Sequence, residues 1–330
     1  MAATPQDTSG HLGQLHLYYE RKLLETAEPR LVLQPLGKSQ RMPKGLGTQV
    51  KWLRYDPMSG SNSSPDFSNT AAINELEEGT VPTDIGYSTT NVTADIKQYG
   101  QFARISDLLS DVAIDPVIKN LSIRFGVNAS KTTESLIVAE LDSAAALQFV
   151  NDQVNDAAIT AADVLNHKEL IEAQIRQKKA FIEAHESGDY IAVLNPCSEF
   201  DLKTDVQAGA WLDINKRTMP SQGKLMNGEF GRMYGMRLLV SDKMTLQEDA
   251  GVGTVDVVST YVIGSEAFGV VQLDGRSVRM IVKKHGSAGA ADPLDQYATV
   301  GYKIHGYAVK YLEPSSNRVI RIKSSSAIAD

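Results

Sequence analysis

Cysteine is nearly absent. The single Cys197 in 330 residues cannot form an intrachain disulfide, so stability has to come from burial. Histidine is scarce as well. His11, His16, His167, His185, His285 and His305 are scattered, none forms H-E-x-x-H, and with one Cys there is no zinc framework. No run approaches the ~20 apolar residues of a spanning helix. Residues 1–14, MAATPQDTSGHLGQ, lack the basic-then-apolar pattern of a secretory signal. The expectation is a cytoplasmic chain with no membrane, metal or cofactor.

What is present is ordinary globular composition. Hydrophobic residues make up 42% and charged residues 22%, which excludes a wholly disordered or collagen-like chain. The length suits about two domains or one large one. Charge is unevenly spread. Residues 1–55 carry 8 basic and 4 acidic side chains, residues 56–269 carry 16 and 31, and residues 270–330 carry 9 and 5. Basic ends around an acidic middle argue against one broad nucleic-acid-reading face. They suit ends that touch the middles of other copies or of the chain itself.

Periodicity predicts an α+β chain. Leu15 to Ala27 reads as a short amphipathic helix, and Thr48 to Tyr55 as a strand. Residues 56–70, DPMSGSNSSPDFSNT, are a strong loop signal. A second strand-like run covers Tyr87 to Tyr99. Two strands joined by some thirty polar residues suggest an arm that leaves the globule. Asp115-Pro116 opens a long helix that the pattern carries to about Val150. Thr160 and Asp163 stand at capping-box spacing, with Ile159 and Val164 at staple positions. They predict a helix over about 161–186 with Ile171, Ile175 and Ile182 buried, stopped by Ser187-Gly188.

A strand at Tyr190 to Leu194 and a short helix from Asn195-Pro196 follow. Strands are then expected at 236–241, 254–263, 269–273, 278–283, 298–311 and 319–322. Asp274-Gly275 would turn a hairpin, and 319–322 would pair with 298–311.

Catalytic motifs fail on physical requirements. Gly37-Lys38-Ser39 lacks the upstream glycine of a phosphate loop, where Val32 stands. His285-Gly286-Ser287-Ala288-Gly289 puts His where a nucleophile elbow needs Gly. Glu75, Glu77, Glu78 and Asp84 lie in a polar stretch that does not split carboxylate pKa values. They read as a solvated or intermolecular charge surface. Arg21, Lys22, Arg30, Lys38, Arg41 and Lys44 lack interleaved aromatics for stacking nucleic acid and fit acidic protein surface better. Cys197 has no adjacent basic partner and reads as a packing residue. An α+β enzyme with a dispersed active site remains the alternative of another class.

Several stretches, in order and spacing, carry a resemblance. They are YYERKLLETAEPRLVL (18–33), RMPKGLGTQVKWLRY (41–55), DIKQYGQFARISDLLSDVAIDPV (95–117), LMNGEFGRMYGMRLLV (225–240), VIGSEAFGVVQL (262–273) and GSAGAADPLDQYATVGYK (286–303). The sequence resembles the tailed-bacteriophage major capsid proteins of the Hong Kong 97 fold. More narrowly, it is similar to the enquatrovirus-type podophage major capsid family.

The resemblance implies an N-terminal arm (1–50), an E-loop hairpin (51–99), a peripheral domain with a long spine helix (100–154), an axial domain (155–290) and a return to the peripheral domain (291–330). It implies a homo-oligomer of pentamers and hexamers closing into an icosahedral shell around double-stranded DNA, which is contacted non-specifically. The arm is too short for a cleaved scaffolding segment, so a separate scaffolding protein and a portal are expected, with room for a decoration protein. Residues 56–95 contain no Lys, so covalent cross-linking through this loop is not expected. The place would be the virion capsid, assembled in the bacterial host cytoplasm. An encapsulin-like cargo shell shares the fold and is the nearest alternative. The candidate assembly contacts are Arg21, Arg41, Lys44, Trp52, Arg54, Tyr55, Glu75, Glu77 and Glu78; Trp52, Arg54 and Tyr55 would anchor the arm's base.

Overall fold

A computed structural model describes residues 32–45, 47–55, 76, 78–81, 89–112, 117–185, 188–205, 229–273, 278–286, 293–313 and 317–328. The strands are β1 (Lys38–Met42), β2 (Gln49–Tyr55), β3 (Thr89–Asp95), β4 (Lys97–Ser106), β5 (Ala146–Phe149), β6 (Tyr190–Leu194), β7 (Glu229–Met233), β8 (Met236–Val240), β9 (Leu246–Gln247), β10 (Val257–Ile263), β11 (Phe268–Leu273), β12 (Val278–Lys283), β13 (Tyr297–Tyr311) and β14 (Val319–Ser324). The α-helices are α1 (Asp107–Val112), α2 (Val117–Ala144), α3 (His167–Lys179) and α4 (Pro196–Thr204).

The five-stranded sheet is built on β13. Antiparallel β4 lies along one edge. On the other edge, β11 pairs with residues 307–311 and β12 with residues 299–304. Both run antiparallel to β13, so they point the same way, and the hairpin expected at Asp274-Gly275 does not exist. The dipeptide itself falls outside the described residues. β1 adds in parallel to β11.

Tyr302 packs on Phe125 of α2, with ring centroids 5.9 Å apart. The register shifts between Ile304 and Tyr307, where Gly306 takes φ +68°. A residue with a Cβ would be strained there. The shift resets the alternation, so Tyr302 and Ile304 before it and Tyr307 and Tyr311 after it all join the core against α2.

The seven-stranded sheet has the order β5-β14-β10-β6-β8-β7, with β9 on β10. β6, β10 and β14 are buried on both faces, consistent with their Val/Ile-rich composition. The expected pairing of 319–322 with 298–311 is therefore overturned. β14 crosses to the other sheet, between β10 and β5.

The long helix exists but ends at Ala144, not near Val150. Residues 146–149 pair in parallel with β14, and Val150 is fully buried. Sheet partners for the backbone override the helix propensity of Ala144–Ala146. The Asp115-Pro116 start falls outside the described residues, as does the helix expected at 15–27.

The helix expected at 161–186 is shorter. Asn166 caps it, accepting from the N–H groups of Lys168 and Glu169. The Thr160 N–H does reach Asp163, at 2.8 Å, but that carboxylate ties a loop together rather than starting a helix. The buried stripe is Leu170, Ala173, Gln174 and Gln177, while Ile175 is exposed. The polar members tolerate burial because they satisfy backbone carbonyls. Gln177 Nε2 donates to Val262 O and Arg318 O at 3.0 Å each, and Gln174 Nε2 donates to Tyr234 O at 3.0 Å.

Asp142 joins α2 to the seven-stranded sheet. It accepts from the Tyr261 hydroxyl and from Thr245 Oγ1 at 2.6 Å, and it lies 3.2 Å from Arg321 Nη1. Arg321 is itself buried. Asp142→Ala is expected to cost about 3 kcal/mol by stranding that guanidinium, measured by urea unfolding. Asp163 supplies a pH dependence. Burial by itself would raise its pKa. Hydrogen bonds from Asn151, from the Thr160 N–H and hydroxyl, and from Gln153 outweigh burial and hold it below the ordinary value. A depressed folded pKa contributes stability above the unfolded value of about 3.9 and loses it as pH falls through the lower folded value. Denaturation midpoints taken below about pH 5 should fall less steeply with acid in Asp163→Asn.

Candidate assembly surfaces

β2 and β3 form a two-stranded hairpin that sits by its base on the five-stranded sheet. Val50 and Ala94, adjacent in the register, bury with Met42, Val271 and Ala308. Trp52 lies over Gly269, where a Cβ would stand 2.7 Å from the indole Cζ2. Glycine at 269 is therefore a steric requirement of the Trp52 seat. The indole N–H is buried and makes no hydrogen bond. Its role is to fill space.

The structure separates the other expected contact residues. Leu53 and Tyr55 are exposed and Arg54 is half-buried. Arg41 on β1 and Lys44 just after it are exposed, as is Glu78. Arg21, Glu75 and Glu77 lie outside the described residues. On either side of Glu78, Leu76 and Val81 are 73% and 90% exposed.

The N-terminal stretch is held by a residue that the sequence reading passed over. The N–H groups of Val32 and Leu33 both donate to Glu134 Oε1 of α2, each at 2.7 Å. Glu134 is fully buried, and Val32, Leu33 and Leu36 pack into the same core. The signal was available: a carboxylate on the stripe Ala129, Thr133, Ile137, Leu141 needs a polar partner.

Another apolar surface is formed by α1. Its Leu108, Leu109 and Val112 are exposed, and the Asp107 N–H donates to Gln296 O at 2.9 Å, next to exposed Leu294 and Tyr297. Apolar exposure grouped in this way makes α1 a candidate contact surface.

Residues with catalytic potential are otherwise engaged. Ser110 Oγ is 3.0 Å from His285 Nε2, but it also bonds the Ser106 carbonyl at 3.1 Å, as helix serines commonly do. Burial, then the Asp201 carboxylate, pushes the Cys197 thiol up, the reverse of an activated nucleophile. Among the described residues, no group of three or more His, Cys, Asp or Glu could hold a metal ion.

The fold matches solved capsid structures over nearly its whole length. The capsid of Ralstonia phage GP4 aligns with TM-score 0.70 at 14% identity, covering 99% of this chain and 100% of that one. The capsid of cyanophage Pam1 aligns with TM-score 0.66 at 13% identity over 100% of both chains. That of cyanophage P-SCSP1u gives 0.65 at 12%, covering 96% and 94%. No curated protein matches by sequence. The model of the phage capsid protein family matches residues 89–316. The chain belongs to the phage capsid protein family.

Proposed function

We propose that this chain is the major capsid protein of a tailed phage. Many copies assemble through pentamers and hexamers into an icosahedral shell around double-stranded DNA, and the chain is not an enzyme. The observation that carries this reading is the hairpin: its base is packed into the subunit by Trp52, while Leu76 and Val81 beyond it stay exposed. Apolar side chains exposed in this way are buried by another chain.

In this reading β2–β3 is the base of the E-loop, and α2 with the five-stranded sheet is the peripheral domain. The seven-stranded sheet with α3 and α4 is the axial domain. Arg21, Arg41, Lys44, Arg54, Tyr55, Glu75, Glu77 and Glu78 serve contacts between subunits, and Trp52 fixes the base from which they act. A separate scaffolding protein, a portal and a decoration protein are the proposed partners, with assembly in the host cytoplasm and the virion capsid as destination. The narrower enquatrovirus-type assignment rests on the sequence stretches alone. Membership of the phage capsid family favours this over a cargo shell of the same fold.

Electron microscopy of the purified protein tests the proposal. Closed uniform shells support it, and a monomer under all conditions overturns it. Trp52→Ala should cost about 3 kcal/mol of subunit stability and reduce particle yield. Tyr55→Ala should lower particle yield in sedimentation far more than it lowers monomer melting. Glu134→Ala should leave the body folded while raising amide exchange at residues 32–36. Glu134→Gln, which keeps a side-chain acceptor, should do so less.

A further inference from the structure

The five strands of the sheet built on β13 together contain Lys and Arg and no Asp or Glu. Pairing sorts these charges by face, because directly opposite residues in an antiparallel pair project to the same side. Gly301 stands opposite Phe102 and Ile281, Thr299 opposite Arg104 and Lys283, and Lys303 opposite Gly100 and Arg279. The alternate β13 positions, including Tyr302 and Ile304, are in the core against α2. The first set therefore faces outward.

Beyond the Gly306 bulge, this outer face is covered by the β2–β3 hairpin through Trp52, Val50 and Ala94. No described element covers the remaining half, where Phe102 is 67% and Ile281 38% exposed. Glycines at 100 and 301 leave a trough between those side chains; a Cβ at Gly301 would stand 2.8 Å from Phe102 Cβ. The cavity there measures about 540 Å³. Lys283 and Lys303 line it, the strand register puts Arg104 and Arg279 on the same face beside them, and the Arg104 guanidinium lies 6.0 Å from the Phe102 ring centroid.

The same chain holds the complement. Residues 56–88 carry Asp56, Asp66, Glu75, Glu77, Glu78 and Asp84 and no Lys, Arg or His. Leu76 and Val81 lie among those carboxylates, and their exposure means that they do not rest on their own trough. We propose that the trough receives the acidic 75–84 stretch of a second copy. Leu76 and Val81 cover Phe102 and Ile281, and the carboxylates meet the cationic rim. An apolar centre inside a charged rim is the anatomy of a specific interface. A phosphate backbone would also meet the cations, but it offers nothing apolar to Phe102 and Ile281. This inference rests on the shell reading and adds which face takes the excursion and by what charge code.

The test is charge reversal. Arg279→Glu with Lys283→Glu, or Glu75→Lys with Glu77→Lys and Glu78→Lys, should each cut particle yield about ten-fold or more near physiological salt, and the combined reversal should restore it. Monomer melting should not move. Fluorescence anisotropy with a synthetic 72–86 peptide gives a readout independent of shells. The wild-type monomer should bind it, and the Arg279→Glu/Lys283→Glu variant should bind about ten-fold more weakly. Normal particle yield in both reversed chains overturns the inference. So does a fall in monomer melting, which would put the contact within one chain, and so do normal shells that hold less DNA, which would make this a nucleic-acid face. A wild-type chain that binds the peptide yet never forms shells sinks the shell reading and leaves the face assignment standing.

Discussion

Three carboxylates of α2 hold the described subunit together. Glu134 takes the two N–H groups of the entering N-terminal stretch. Glu140 takes Lys310 Nζ at 2.8 Å and the Tyr311 N–H at 3.2 Å, fixing the end of β13. Asp142 takes Tyr261, Thr245 and Arg321 of the seven-stranded region. Glu134 is fully buried, so it is the costliest of the three to leave unpaired, while Glu140 and Asp142 are partly exposed. Each of the three fixes the position of what it binds. The helix rises about 1.5 Å per residue, so Glu134 and Asp142 lie roughly 12 Å apart along its axis. That rigid spacing sets the N-terminal stretch and both sheets relative to one another, without a disulfide and with little help from the helix's own modest amphipathicity.

The pattern of the chain reveals most of the strands, for a local reason. β6 and β12 are short apolar or β-branched runs whose limits follow from composition, while β10 begins at Val257 rather than at Thr254. Partners are a different matter. The turn after Tyr311 looks like a hairpin turn, yet β14 leaves for the other sheet because β10 and β5 offer it two partners at once. Ala144–Ala146 favours helix locally, and long-range pairing decides otherwise. On α3 the apolar Ile171 and Ile175 suggest one buried face. The buried face instead carries Gln174 and Gln177, since unsatisfied carbonyls elsewhere needed donors. Glu134 follows the same logic. Where the local pattern and the structure part, the missing information is the location of an orphaned backbone group far away in sequence.

The candidate contacts divide along a similar line. Trp52 was singled out from the sequence, with Arg54 and Tyr55, because aromatics and Arg dominate interface energetics. That its seat is Gly269, more than two hundred residues later, was not legible. Neither were α1 and its neighbours Leu294 and Tyr297, whose apolar side chains look like ordinary core residues until the fold leaves them outside.

The uneven charge of the chain becomes spatial once the strands pair. β1 comes from the basic N-terminal stretch, and β12 and β13 come from the basic C-terminal stretch. Folding places all three in one sheet that has no carboxylate of its own. The acidic excursion is spliced between β2 and β3, whose base covers the near half of that sheet's outer face. The subunit thus presents a cationic trough and a separate anionic, partly apolar stretch, with its own hairpin base occupying the ground next to the trough. Charges of one sign gathered on one face repel each other until something opposite arrives. In a population of identical chains, the most abundant opposite partner is the excursion of a neighbour. In the proposed shell, association neutralises both surfaces at once, and each subunit of a ring gives one contact and receives one, the heterologous arrangement that closes rings.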